Sequence, residues 1–383
     1  MTLSFDLNVE DFAAAISEEQ PCGMNLQITD EGRAIRSNLR DLREESRRLE
    51  RRADEGDESE GGWASAQSTW TQLRDQSIEV LKNNSKDLDV AAMLTEALCR
   101  TDGFAGLQAG FQVMGLLVEA FWNEVYPVPD PEDGVTDETL IIEERVLPIQ
   151  RLAGLELEGL LVPGILHIPL AVGRSDQSYG LCHWRSSREL VGEDNEEKLQ
   201  LAVDRGGVSP SQFEQAVSET DIGEITAVYK DLLSANETWA MLVDAISEMS
   251  EGKAVVPASQ IRDIFEECID AIKVFAPSAI PQESSGDEDP VGVDGQEKNE
   301  GDAGGLYPAN REEAFQRLEK IADYFETHDP HSLVAAQIRN IVKLGRLSRG
   351  EYYKQLLRDE SALSLLFRAA GMDEQIPDNN DGY

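Results

Sequence analysis

Trp70-Thr-Gln-Leu73, Asn84-Ser85-Lys86-Asp87-Leu88, the pair Gly103 and Gly106, and Trp122-Asn-Glu-Val-Tyr126-Pro127 mark out the stretch from Trp70 to Pro131, whose pattern decides the fold. Between Asp89 and Arg100, Val90, Met93, Leu94, Ala97 and Leu98 recur at helical spacing and fall on one face. After the two glycines the pattern resumes with Leu107, Phe111, Met114, Leu117, Val118, Phe121 and Trp122, and Pro127, Pro129 and Pro131 end it. The spacing predicts a helical hairpin with two wide apolar faces. Ser85 or Asp87 can cap its first helix by accepting from free backbone N–H groups.

Working outward, 383 residues suffice for two or three domains, and 40% hydrophobic residues predict a globular chain. Low aromatic content and long periodic segments favour a mainly α fold. The formal charge of −40 repels phosphate backbones and anionic membrane surfaces, so neither nucleic acid nor membrane is an expected partner. No run of about 18 apolar residues occurs and the amino terminus lacks a basic region followed by an apolar run, so a cytoplasmic location without membrane insertion is expected. The four cysteines, Cys22, Cys99, Cys182 and Cys268, have no paired spacing and read as reduced, buried thiols.

Residues 5 to 16 read as a short strand or turn running into a helix, interrupted by Pro21-Cys22-Gly23-Met24-Asn25-Leu26. A long charged helix is predicted from Arg33 to Arg52, with a thin seam of Ile35, Leu39, Leu42 and Leu49. On it Arg33, Arg36, Arg40, Arg43, Arg47 and Arg51 share one stripe, which reads first as a salt-bridged exposed face and second as a dock for an acidic surface. Residues 139 to 162 read as helix with a break at Pro148. Ile165–Leu170 and Ser178–Trp184 read as a short β-hairpin. Helices are expected at 211–218, 221–250 and 258–275, then a Ser, Gly, Asp and Glu-rich linker, then a small bundle beginning at Asn310.

No catalytic constellation stands out. His328-Asp329-Pro330-His331 contains two imidazoles, but the proline prevents the helical display that would let them converge on a metal, and Ser332 reads as a helix cap. Ser175, Asp176 and His183 are triad residue types without a nucleophile elbow. Gly61-Gly62 and Gly304-Gly305 lack the Lys and Ser/Thr of a phosphate loop. Catalytic residues, cofactors and metals are therefore not expected.

The motifs in register, Pro21-Cys22-Gly23-Met24-Asn25-Leu26, Trp70 with Arg74, Ser85-Lys86-Asp87-Leu88, Gly103, Gly106, Trp122 and Pro127, resemble the ImpA N-terminal domain of the TssA proteins of bacterial type VI secretion. The tail is similar to that family's carboxy-terminal module through Arg311-Glu-Glu-Ala314, Leu318, Ile321, Tyr324-Phe325, Asp329-Pro330-His331-Ser332 and Gly345-Arg346-Leu347. Leu333 stands where a proline is expected and Met24 where an acidic residue is expected. The resemblance implies a non-enzymatic, cytoplasmic assembly protein that contacts baseplate, sheath, tube and membrane-complex components. It also implies a ring-like homo-oligomer built through the carboxy-terminal region, and the short tail looks like the baseplate-associated form. Interaction or structural roles are expected for Pro21, Gly23, Trp70, Ser85, Lys86, Asp87, Trp122, Pro127, Phe325, Pro330, His331 and Ser332.

The resulting expectation is an ImpA-like domain at 1–205, a helical middle region at 206–276, an acidic disordered linker at 277–307 and an oligomerisation bundle at 308–374. Two other readings stay open: a hydrolase with a site near the 165–184 hairpin, and a stand-alone cytoplasmic adaptor. If Trp122 packs on the Val90–Leu98 face, Trp122→Ala should cost about 3 to 5 kcal/mol in urea unfolding. A loss near zero would put the indole on the surface.

Overall fold

The structure, a computed structural model, describes residues 3, 5, 7–57, 59–155, 157–173, 178–190, 207–281, 311–328 and 334–346. The fold is mainly α, and the chain divides into two units, Met1–Gly286 and Asp287–Tyr383. In the first unit a 3-10 turn at Val9–Ala13 buries Phe12 and precedes α1 (Asp30–Asp54), α2 (Gly62–Asn83) and α3 (Leu88–Phe121). The Thr29 side chain accepts from Gly32 N–H to start α1, and Asp87 accepts from Asp89 N–H to start α3. Of the two caps proposed for α3, Asp87 serves.

At Gly103 (φ 60°, ψ −136°) the helical path of α3 is broken, in a backbone region closed to other residues. The two halves then lie side by side. A Cβ on Gly106 would sit 2.1 Å from the Leu98 carbonyl oxygen, and one on Gly110 would sit 2.7 Å from Thr95. This is the expected helical hairpin. By length and apolarity alone Leu88–Phe121 could cross a membrane, although charged and polar residues interrupt its apolar run. Here it is folded back at Gly103 and lies in the protein core.

The chain continues through α4 (Glu138–Ala153), α5 (Val162–His167), strands β1 (Ala171–Val172) and β2 (Ser178–Tyr179), α6 (Leu181–Glu189), α7 (Pro210–Glu219), α8 (Ile222–Met249) and α9 (Ser259–Phe275). Phe111 stacks on Trp239 of α8 with ring centroids 5.1 Å apart, and Phe104 meets Phe265 of α9 edge-on at 6.0 Å. One apolar core thus runs from α3 into α8 and α9. A border near residue 205 separates stretches of sequence, not cores.

Three expectations change in detail. The β-hairpin is real but two residues long on each side, pairing Ala171 with Tyr179 and Val172 with Ser178. The segments credited to its arms are helical because Pro163 opens α5 and Gly180 opens α6. Helix α4 runs through Pro148, held on both sides by the buried Val146, Ile149 and Leu152. The acidic linker does not begin at 277. Pro277–Ala279 forms a 3-10 turn whose Ala279 is buried, and its carbonyl accepts from Thr226 Oγ1 at 2.8 Å. Residues 282–310 lie outside the described ones.

In the second unit, α10 (Arg311–His328) and α11 (Val334–Arg346) pack through Ala322, Ala335 and Val342, with Arg339 bonded to Glu326 at 2.5 Å. Ile321 and Ile341 stay 46% and 59% exposed.

The close pass inside α3 sets a test. Gly106→Ala must push against backbone and should lose about 1 to 3 kcal/mol. Gly115→Ala, in the same helix with nothing within 4 Å of the new Cβ, should gain about 0.5 to 1 kcal/mol. Urea midpoints of the two variants should move in opposite directions.

Candidate functional site

Ser85-Lys86-Asp87 is a short extended strand held between two other segments. Gly23 pairs with Ser85, Lys86 N–H donates to the Cys22 carbonyl at 2.8 Å, and Met24 N–H donates to the Asn84 carbonyl at 2.9 Å. On the other side Tyr126 N–H donates to the Lys86 carbonyl at 3.0 Å, and Leu88 N–H to the Tyr126 carbonyl at 2.7 Å. Tyr126 Oη closes the set by donating to the Gly23 carbonyl at 3.3 Å. Gly23 has φ +70° and a Cβ there would lie 2.2 Å from the Asn84 oxygen, so the clasp needs glycine. Pro21 and the buried Pro127, preceded by a cis bond, flank it.

The polar side chains of the clasp point inward. Lys86 is fully buried, donates through Nζ to the Leu81 carbonyl at 2.9 Å, and lies over the Phe121 ring; burial pushes its ammonium below the usual value. Asp87 is pushed up to about 7 by burial and by the neighbouring Asp89 carboxylate, against the pull of the Asp89 N–H. The Oγ of Ser85 is buried without a hydrogen-bond partner. Trp122 packs in the core under the Arg145 guanidinium, which donates to the Val125 carbonyl at 3.1 Å. Of the residues singled out from sequence, Pro21, Gly23, Ser85, Lys86, Asp87 and Pro127 meet in this clasp, with Trp122 at its exit. They are structural in their contacts, and none presents a polar group to solvent that a substrate could use.

A second cluster was not foreseen. Half of the α1 arginine stripe turns toward α3, while Arg33, Arg40 and Arg51 stay exposed: Arg36 meets Asp89 at 3.3 Å, Arg43 and Arg47 reach Glu96 at 2.6 and 2.7 Å, and on the same helix Glu50 pairs with Arg100 at 2.9 Å. The offset of 53 residues recurs at Arg36–Asp89 and Arg43–Glu96, so the helices run parallel. Glu96 has no exposed side-chain surface; burial raises its carboxyl, and the guanidinium groups outweigh that and hold it below the usual range. Arg100 also covers the Trp70 ring at 4.4 Å.

Trp70 and Arg100 line a cavity of about 980 Å³, together with Trp63, Asp54, His167, Tyr179 and His183. His167 Nδ1 donates to the Pro163 carbonyl at 2.8 Å, leaving Nε2 3.6 Å from Asp54. His183 Nδ1 accepts from Gly180 N–H at 3.0 Å and lies 3.4 Å from the Cys182 sulfur. Cys182 is half-buried, unlike the other three thiols, which are buried as expected. The cavity lies beside the 165–184 segment, where the hydrolase reading put its site. The nucleophile beside His183 is Cys182, while Ser175 and Asp176 fall outside the described residues. Among the described residues no group of three His, Cys, Asp or Glu side chains is arranged to hold a metal ion. On another face, Pro129, Val135, Leu140, Leu147 and Leu155 line a shallow groove edged by Glu143 and Glu144. Phe325 is half-buried in α10, and Pro330, His331 and Ser332 lie outside the described residues.

Residues 13–154, which contain the clasp and both halves of α3, match the family described as ImpA, N-terminal, type VI secretion system. That match covers 142 of the 383 residues, so the likeness is to this segment of the chain. It is 23% identical over 364 residues to the type VI secretion system component TssA1 of Pseudomonas aeruginosa, covering 92% of this chain and 96% of that protein. Its fold is similar to the N-terminal domain, including the conserved ImpA_N region, of the TssA component from Burkholderia cenocepacia. The TM-score is 0.54 at 23% identity, over 72% of this chain and 96% of that one.

The buried Asp87 gives this domain a pH signature. Its folded value of about 7 lies above the usual 3.9, so the native state keeps a proton that the unfolded chain has lost. That contribution is complete below about pH 4 and is lost as pH rises through about 7. Asp87→Asn keeps a capping acceptor. Its stability relative to wild type should therefore rise by about 1 to 3 kcal/mol between pH 5 and pH 8 in paired urea titrations.

Proposed function

We propose that the chain is a non-enzymatic assembly component of the type VI secretion machinery, acting in the cytoplasm as a scaffold for baseplate and sheath–tube assembly. The observation that carries this reading is the near full-length similarity to TssA1, over 92% of this chain, together with the ImpA N-terminal match on the clasp-bearing domain. In this reading the amino-terminal unit is the docking body for the machine's baseplate, sheath, tube or membrane-complex proteins. The apolar groove edged by Glu143 and Glu144 supports protein contact.

The second unit is the self-association module, building a ring-like homo-oligomer of the baseplate-associated kind. Its two described helices leave Ile321 and Ile341 exposed, and a body of this size gains stability by covering such surface with copies of itself. The linker between the units lets each docking body reach a separate partner.

Light scattering on the full chain and on a chain ending at Gly286, which retains the 3-10 turn packed on α8, tests the assembly role. The full chain should be a discrete multimer and the shortened one a monomer. A shortened chain that stays multimeric would move self-association to the amino-terminal unit. A monomeric full chain that captures no secretion-system protein from cells carrying the machinery would favour the stand-alone adaptor.

A further inference from the structure

Cys182 differs from the other cysteines in every respect that governs thiol chemistry. It is the second residue of α6, where the unpaired N–H groups of the first turn favour negative charge. It is half-buried, whereas Cys22, Cys99 and Cys268 are buried. Its sulfur lies 3.4 Å from His183 Nδ1, and His183 and His167, whose rings meet edge to face 6.1 Å apart, both line the 980 Å³ cavity.

The tautomers separate the roles of the two rings. His167 donates its Nδ1–H to a backbone carbonyl, so a second proton must sit on Nε2, the side that also faces Asp54. His183 uses its Nδ1 lone pair to accept from Gly180 N–H, so it is not the proton donor to the sulfur. The charged groups that bear on the thiol are therefore His167 from α5, Asp54 from α1 behind it, and Arg185 on α6, itself bonded to Glu267 of α9 at 2.5 Å.

We propose that Cys182 is a thiolate nucleophile, paired with the His167 imidazolium, and is a site of reversible mixed-disulfide formation with small disulfides whose pendant group occupies the adjoining cavity. The sulfur attacks one sulfur of the small disulfide. That S–S bond breaks as the Cys182–S–S–R bond forms, and the departing thiolate takes up a proton from His167. No other oxidant is needed, since the small disulfide is itself the one reduced. The cavity volume suits a ligand of this class, and Trp63 and Trp70 supply apolar wall.

The charge balance agrees with this placement. Burial alone would raise the thiol, but His167 and then His183 outweigh it and draw it down to about 6, while the bond to Cys182 lifts His167 to about 9. Burial pushes Cys22 up to about 11, and Cys99 and Cys268 up to about 12.

The test is alkylation of the full folded chain by iodoacetamide from pH 4.5 to 9, with each cysteine followed by peptide mass. Cys182 should react first, with a rate half-maximal near pH 6. His167→Gln should move that midpoint toward the ordinary thiol value of about 8.5, and His183→Gln should move it in the same direction by less. Oxidised glutathione should add one glutathionyl group, on Cys182, removable by dithiothreitol. A wild-type midpoint above pH 8, a midpoint unmoved in His167→Gln, or no adduct on Cys182 would overturn the proposal. The wild-type profile decides even if a variant fails to fold.

Discussion

A carboxylate with no exposed surface, Glu96, sits in the most apolar helix of the chain, and much of the amino-terminal fold depends on it. Left alone, such a charge would be among the costliest groups a core can hold. It is met by Arg43 and Arg47 from α1 and by Arg100 from its own helix, and Arg100 is met in turn by Glu50. Apolar contacts alone would let α1 slide along α3 or rotate against it, since its seam is thin. The charge pairs fix one register, because each guanidinium must arrive within hydrogen-bond reach of one carboxylate. Arg100 then carries that register to the cavity wall by lying over Trp70.

The second constraint is the reversal at Gly103. It lets one continuous apolar segment show one half to α1 and α2 and the other to α8 and α9. Phe104 and Phe111, just past the turn, contact Phe265 and Trp239. The clasp holds the open end of the hairpin, since Ser85–Asp87 precedes its first helix and Tyr126–Pro127 follows its second. The hairpin is thus pinned at both ends, by a backbone conformation at one and by crossed main-chain hydrogen bonds at the other. The clasp motifs are contiguous and uncommon because each residue answers a local geometric demand. Gly23 admits a carbonyl, Asp87 caps a helix and Lys86 fills a slot under Leu81.

This explains what could be read from sequence. Helical periodicity, proline stops and acidic N-caps are local, so the α3 hairpin and the helices at 210–275 were legible within a few residues. The α5 segment was misread as a strand because Ile165-Leu-His-Ile has no helical period long enough to reveal itself, and the deciding residue, Pro163, lies before it. The arginine stripe was visible, but its direction was not. A row of guanidinium groups looks the same whether it faces water or Glu96, and only the 53-residue match to Asp89 and Glu96 tells the two apart. The Cys182 cluster was hidden for a similar reason. His167 comes from α5, Asp54 from α1 and Cys182 from α6, and no spacing in the chain announces their meeting. The one available signal was adjacency, Cys182 beside His183, at the start of a helix not recognised as one.

The inward arginines also change what the charge of −40 means for assembly. Arg36, Arg43, Arg47 and Arg100 are committed to partners inside the fold, so four of the 34 basic residues are withdrawn from a surface that is already strongly acidic. The exposed face is accordingly dominated by carboxylates, and two copies approaching through their amino-terminal units repel each other. The self-association proposed above is favoured where acidity is lowest and apolar surface is spare. In the described part of the second unit, α11 carries the exposed Lys343 along with the exposed Ile341, and α10 adds the exposed Ile321. Repulsion between the larger bodies and attraction between the smaller ones would then act together.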